Sequence, residues 1–317
     1  MKVVTLLMSR CTPLKKRGVD MKILITGVNG FIGSNIYNGL KNNHEILGIS
    51  QSKKSNKCDN YICCDLTDKE NLEKIIKYHK DIDVIIHCAA LAHNKGNDLS
   101  KERFMKVNYE VTKYLVDLSN EYLKLKHFIF LSTISVYGER MDKDVYIESD
   151  ECYPKSPYAV AKKKSEEYIE SNCRSSFYML RLAPVYSDEF RLNIQRRTEM
   201  KGFNYIVGNG SNKLSLCNVK NIVIAVNEII DGYLIPNEIY NVSDNKVYSF
   251  KNMLDINKVS SLKIWIPKIG IRILYTINKI TTKKQFIEEN SIKLVSDNIY
   301  SSLKLSKQIK IDYNLFD

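Results

Sequence analysis

From Met21 onward the chain alternates short, unbroken apolar runs with longer stretches in which apolar positions recur every three or four residues. "KILIT" (22–26) precedes a helical segment reaching about Leu40, and "EILGIS" (45–50) and "YICC" (61–64) follow. The pattern then predicts a helix near 68–79, a strand at "VIIHCA" (84–89), a long helix over 101–123 and a strand at "HFIFLS" (127–132). A further helix over 157–171 leads into "FYMLRLA" (177–183). Strands apolar on both faces, alternating with amphipathic helices, imply a parallel sheet covered on both sides, the doubly wound α/β arrangement. After about residue 183 the rhythm becomes irregular. "KLSLCNV" and "EIYNVSD" read as strands, set among helices near 189–201 and 219–231.

Composition changes this picture little. At 317 residues, with 44% hydrophobic and 26% charged residues, the chain has the makeup of an ordinary globular protein with a substantial core. No apolar run is long enough to predict a membrane span. "IWIPKIGIRILYTINKI" (264–280) is interrupted by Pro267, Lys268, Arg272 and Lys279. It reads as a helix packed on its own domain, in preference to an amphipathic segment lying on a bilayer. The net charge of +12 suits an anionic small substrate. Nucleic acid is not expected as a partner, because the lysines are dispersed and only 10 of the 48 basic residues are arginine. Eight cysteines without a CxxC fit reduced thiols in the cytoplasm, with neither a disulfide frame nor a metal site. Residues 1–20 lack a small-residue cleavage site and read as a poorly ordered extension outside the fold.

"TGVNGFIG" (26–33) places Gly27, Gly30 and Gly33 directly after the first strand. Glycines there allow a tight turn and a close approach to a pyrophosphate, which the free amides of the next helix stabilise. This assigns dinucleotide binding to 21–183, in a Rossmann arrangement. Residues 184–317 become a smaller, mixed substrate-binding part, with about 214–243 returning to the first domain. Six Tyr–x–x–x–Lys pairs occur in the chain, so spacing alone selects none of them. Position selects Tyr158–Lys162 in "SPYAVAKKK": it follows the fifth strand and opens a helix, where four residues make one turn.

The GxxGxxG spacing, "HCAA" (87–90), "VNYEVT" (107–112), "LSTISVYG" (131–138) and the Tyr158–Lys162 pair together resemble the extended, nucleotide-sugar-modifying branch of the short-chain dehydrogenase/reductases. The resemblance runs from 22 to roughly 245 and is loose over the last 70 residues. It implies a catalytic triad of Thr133, Tyr158 and Lys162, with Ser132 as the adjacent alternative hydroxyl. It also implies NAD or NADP held by Gly27, Gly30, Phe31, Ile32, Gly33, Asp65, Leu66, Ala89, Ala90, Asn108, Tyr158, Lys162, Pro184 and Val185. Where an acidic residue usually follows the second strand, this chain has "SQSKK" (50–54). Ser50 and Lys53 there suit the 2′-phosphate of NADP.

In this resemblance Tyr158 moves a proton at a sugar hydroxyl, its phenol lowered by the neighbouring ammonium and the oxidised nicotinamide. Thr133 and Asn193 touch the nucleotide-diphosphate sugar, and Lys213 stands near the position where the family often has a diphosphate-binding arginine. The chain looks most like bacterial UDP-hexose 4-epimerases and 4-keto-sugar reductases of surface-polysaccharide sugar synthesis. A 4,6-dehydratase is disfavoured, since Ile134 and Ser135 replace the acid–base pair expected beside the catalytic hydroxyl. Homodimers built on helices 101–123 and 157–171 are usual in the family. The alternative reading is a catalytically silent NAD(P)-sensing regulator of the same fold.

Overall fold

The computed structural model describes residues 20–55, 57–92, 100–140, 143–257 and 263–317. The extension expected over 1–20 therefore lies, apart from Asp20, outside the described residues. Seven strands form one sheet: β1 (Lys22–Thr26), β2 (Glu45–Ser50), β3 (Tyr61–Cys63), β4 (Val84–His87), β5 (His127–Thr133), β6 (Ser176–Leu182) and β7 (Glu238–Val242). Their order is β7-β6-β5-β4-β1-β2-β3, and every pairing is parallel. Parallel neighbours need crossovers, and the helices that supply them cover both faces.

The first face carries α1 (Phe31–Leu40) and the later α7 (Val219–Ile230), which pack on each other. The opposite face carries α2 (Lys69–Tyr78), the run α3 (Lys101–Phe104), π turn (Met105–Glu110) and α4 (Val111–Tyr122), and α5 (Pro157–Asn172). Two apolar clusters fill these layers. One joins β1 and β6 to α1 and α7, and the other joins β4 and β5 to α2 and α4. Ile23 and Ile25 enter the first cluster and Leu24 the second, so each strand alternates between two buried faces.

A third cluster belongs to the smaller part, which holds α6 (Leu192–Thr198), α8 (Phe250–Ile256), α9 (Lys268–Ile280) and α10 (Gln285–Val295). A three-stranded sheet lies there, with Phe203–Val207 parallel to Lys263–Ile266 and antiparallel to Glu199–Met200. The segment "KLSLCNV" forms two short strands, Lys213–Leu214 and Cys217–Asn218, which join different partners. Among the described residues no helix is long and apolar enough to cross a membrane.

Candidate active site

The strand order reverses between β1 and β4, and in doubly wound sheets the crevice beyond the carboxyl ends of such strands receives the ligand. The glycine turn stands at that point. Gly27 has a φ of +69°, and a Cβ there would sit 2.8 Å from the Ala89 backbone. A Cβ on Gly33 would lie 2.4 Å from the Gly27 carbonyl oxygen. Gly30 caps α1 without any side-chain hydrogen bond, and the first bond back to the cap comes from Ser34 N at 2.9 Å. The amides of Phe31, Ile32 and Gly33 thus open the helix at its positive end, as a pyrophosphate requires.

A cleft of about 260 Å³ continues from this turn, lined by Gly27, Ser50, Asp65, Leu66, Ala89 and Ala90 among others. Burial would raise the Asp65 carboxyl. Bonds from Thr67 and Gln51, together with the charge of Arg103, outweigh it and hold the group below its ordinary range, as an anion. These residues fit a dinucleotide: a backbone cradle that a Cβ would fill, uncapped amides, and an ionised acceptor in the adenosine end of the cleft.

The residues of the expected triad lie next to this cleft. Ser156 caps α5 by accepting from Ala159 N at 3.2 Å, and Pro157 takes the first helical position, which fixes Tyr158 in the first turn. The Tyr158 phenol lies close enough to the hydroxyl of Thr133, the last residue of β5, to be influenced by it, and that hydroxyl accepts from Ser135 N at 3.2 Å. One turn further on, Lys162 is 1% exposed and donates to the Leu131 carbonyl at 2.8 Å. A helical turn of about 5.4 Å runs beside two strand residues spanning about 6.6 Å, which lets both side chains meet the same strand end. Lys162 Nζ also stands 4.3 Å from the centre of the Phe130 ring.

Burial pushes the Tyr158 phenol up to about 12, opposed by the nearby Thr133 hydroxyl, and pulls the Lys162 amine down to about 8, opposed by Cys88 and Glu166. The expected lowering of the phenol by Lys162 is therefore not a property of the polypeptide alone. The amine is turned to Leu131, and burial wins. Cys88 follows β4 directly, lines the cleft and is pushed up to about 12 by burial, so it is a neutral thiol.

This geometry accords with the comparisons to known proteins. The profile of the NAD dependent epimerase/dehydratase family matches residues 23–243. The chain belongs to that family. It is 32% identical to a dTDP-D-glucose 4,6-dehydratase of Dictyostelium discoideum in an alignment of 178 positions that covers 49% of this chain and only 41% of that relative. It is 25% identical to a UDP-glucose 4-epimerase of Vibrio cholerae, over 75% of each chain. A UDP-glucuronic acid 4-epimerase from Bacillus cereus, solved with NAD, superposes with a TM-score of 0.67 at 22% identity. That superposition covers 91% of this chain and 92% of the other.

Several of the residues named from the sequence have definite partners within the polypeptide. Ser132 is engaged: its hydroxyl donates to Glu166 Oε1 at 2.6 Å, and Arg181 grips the same carboxylate at 3.0 and 2.7 Å. Thr133 is thus the hydroxyl left facing Tyr158. The Asn108 side chain does not face the cleft; both its amide atoms are bonded to the Leu91 backbone, at 2.7 and 3.0 Å. It positions the Leu91 backbone after β4.

Pro184 and Val185 sit beyond the end of β6, where the Pro184 carbonyl accepts from Cys217 N at 3.1 Å and Val185 pairs with Cys217. Asn193 Nδ2 donates to the Val185 carbonyl at 2.8 Å, which fastens α6 to this turn. Lys213 is exposed on its short strand, its amide bonded to Asp297, and Lys53 is exposed outside the cleft lining. The cation that does line the cleft is Arg103, from α3. It lies 38 positions from Asp65 in sequence, and no local motif announces it.

Proposed function

We propose that this chain is an NAD(P)-dependent nucleotide-sugar oxidoreductase acting at C4 of a UDP-linked hexose, as a 4-keto-sugar reductase or a 4-epimerase. The observation that carries this reading is the placement of Tyr158 beside Thr133, with buried Lys162 one turn on and bonded to the Leu131 carbonyl at 2.8 Å, at the strand end next to the cleft. A nicotinamide dinucleotide, when bound, supplies the hydride chemistry. Gly27, Gly30 and the opening amides of α1 would hold its pyrophosphate, and Ser50, Asp65 and Leu66 its adenosine.

Thr133 orients the C4 oxygen, and Tyr158 gives it or takes from it one proton. A phenol held near 12 is protonated at neutral pH, the form that donates to a ketone oxygen. Running the reaction from an alcohol needs the phenolate, which a cation beside the ring would favour. Dehydration is disfavoured because Ile134 is buried and Ser135 is neutral, where an acid–base pair would be needed.

The test uses purified full-length protein with a UDP-4-ketohexose and with UDP-hexoses. A site that takes up NADPH and consumes it identifies the reductase, and retained NAD with interconversion of UDP-hexoses identifies the epimerase. Tyr158→Phe is expected to lower kcat by about 10²–10⁴ while dinucleotide affinity holds. Unchanged turnover in that variant, or no turnover of any C4 substrate by the parent, overturns the reading.

A further inference from the structure

The helix α9 presents an apolar face that no described part of the protein covers. Ile271 and Asn278, two turns apart, form its buried side against α10. Asn278 also fixes the following turn: its side chain accepts from the Lys284 amide and from Thr282 Oγ1, at 3.0 and 2.7 Å, and donates to the Lys284 carbonyl at 3.0 Å. The helix is seated by one side only, as a matter of fold. On the other side Ile269, Ile273, Ile277 and Ile280 follow one another at three- and four-residue spacing, with Leu274 beside them. Together with Trp265 on the adjoining strand they are 49 to 74% exposed. The Trp265 ring N–H is satisfied by the Gly208 carbonyl at 2.9 Å, which leaves its ring lying outward.

Charge decides what covers this face. From Lys263 to Lys284 the chain carries six basic residues and no acidic one. Lys268, Arg272 and Lys279 fall at spacings of four and seven, in a column along one edge of the apolar stripe. A second copy related by a two-fold axis would bring these like charges against one another. An interface of apolar lipid tails and anionic headgroups matches both features at once: isoleucines in the acyl boundary, a tryptophan at headgroup level, and cations on phosphates. We propose that α9, with Trp265, docks the protein in the plane of an anionic phospholipid bilayer, without spanning it.

Flotation of the full chain with sonicated vesicles tests this. Vesicles of equimolar phosphatidylcholine and phosphatidylglycerol are expected to carry the protein upward, vesicles of phosphatidylcholine alone are not, and added salt weakens the association. Ile273→Glu with Ile277→Glu abolishes flotation, and Arg272→Gln with Lys279→Gln weakens partitioning by roughly fivefold per charge removed. Both double variants keep the parent's circular-dichroism melting curve, since these side chains contact solvent. The proposal is overturned if anionic vesicles leave the protein at the bottom, or if flotation persists in the glutamate variant. It is equally overturned if sedimentation equilibrium shows a dimer that the glutamate variant splits, because the face would then belong to a second copy.

Discussion

Lys162 illustrates at the scale of one residue how a functional group costs stability. Its amine has moved from an ordinary 10.5 to about 8, chiefly through burial. Between those values the unfolded chain binds a proton that the folded chain does not, so stability rises with pH across that window. Below about pH 8 the full penalty stands, about 3 kcal/mol for such a shift. Lys162→Met removes the charge and keeps the volume, at the loss of one hydrogen bond to Leu131 worth about 1 kcal/mol. The cofactor-free variant is therefore expected to be more stable than the parent by about 2 kcal/mol at pH 7, with the advantage vanishing by pH 10. Urea unfolding at the two pH values checks this; a variant less stable at pH 7 would show that the amine's bond outweighs its desolvation. The Tyr–Lys spacing was legible in the sequence, but not the direction in which each group titrates, because burial is set by residues such as Phe104 and Phe130 that lie far away in the chain.

Among elements, the joint between β1 and α1 is tightly constrained by backbone geometry. An alanine in an exposed helix interior normally stabilises relative to glycine by about 0.5–1 kcal/mol. At Gly33 the added methyl meets a backbone carbonyl at 2.4 Å, and neither partner can swing aside. Gly33→Ala should destabilise by about 1–3 kcal/mol and weaken dinucleotide binding at least about tenfold. Thermal melts and NADH fluorescence titration read the two effects, and a stabilised variant with intact binding would sink the argument. The π turn at Met105–Glu110 had no sequence signal. The 101–123 segment reads as one helix from its periodicity, yet the structure widens it where Asn108 holds the Leu91 loop and its carbonyl accepts from Ser165 at 2.8 Å.

For the whole molecule, the C-terminal segment is a brace for the end of β5. Ile299–Tyr300 pairs with Val145–Tyr146, and the Tyr300 ring stacks on Tyr146 at 5.2 Å and on Tyr137 at 5.9 Å. Tyr137 closes the 3₁₀ turn that begins at Thr133 and donates to Asn241 Oδ1 at 2.7 Å, so β5, β7 and the chain's end meet there. Tyr300→Ala is expected to cost about 3–5 kcal/mol and to lower kcat through a displaced Thr133, with dinucleotide affinity held. Chemical denaturation and steady-state kinetics check this pair of effects. A loss of affinity with kcat intact would point instead to the cleft.

By itself the sequence determined the alternating strands and helices, the glycine turn and the place of the Tyr–Lys pair. Each of these follows from local periodicity, a tight backbone turn or a helical repeat, and needs no partner distant in the chain. The tertiary structure alone decided that Ser132 serves Glu166 while Thr133 meets Tyr158, that Arg103 reaches the cleft where Lys53 does not, and that α9 leaves its apolar face uncovered. Those outcomes depend on which elements pack against one another. A residue's neighbours in space, which set its burial, charge and free hydrogen-bonding capacity, are fixed only when the layers close.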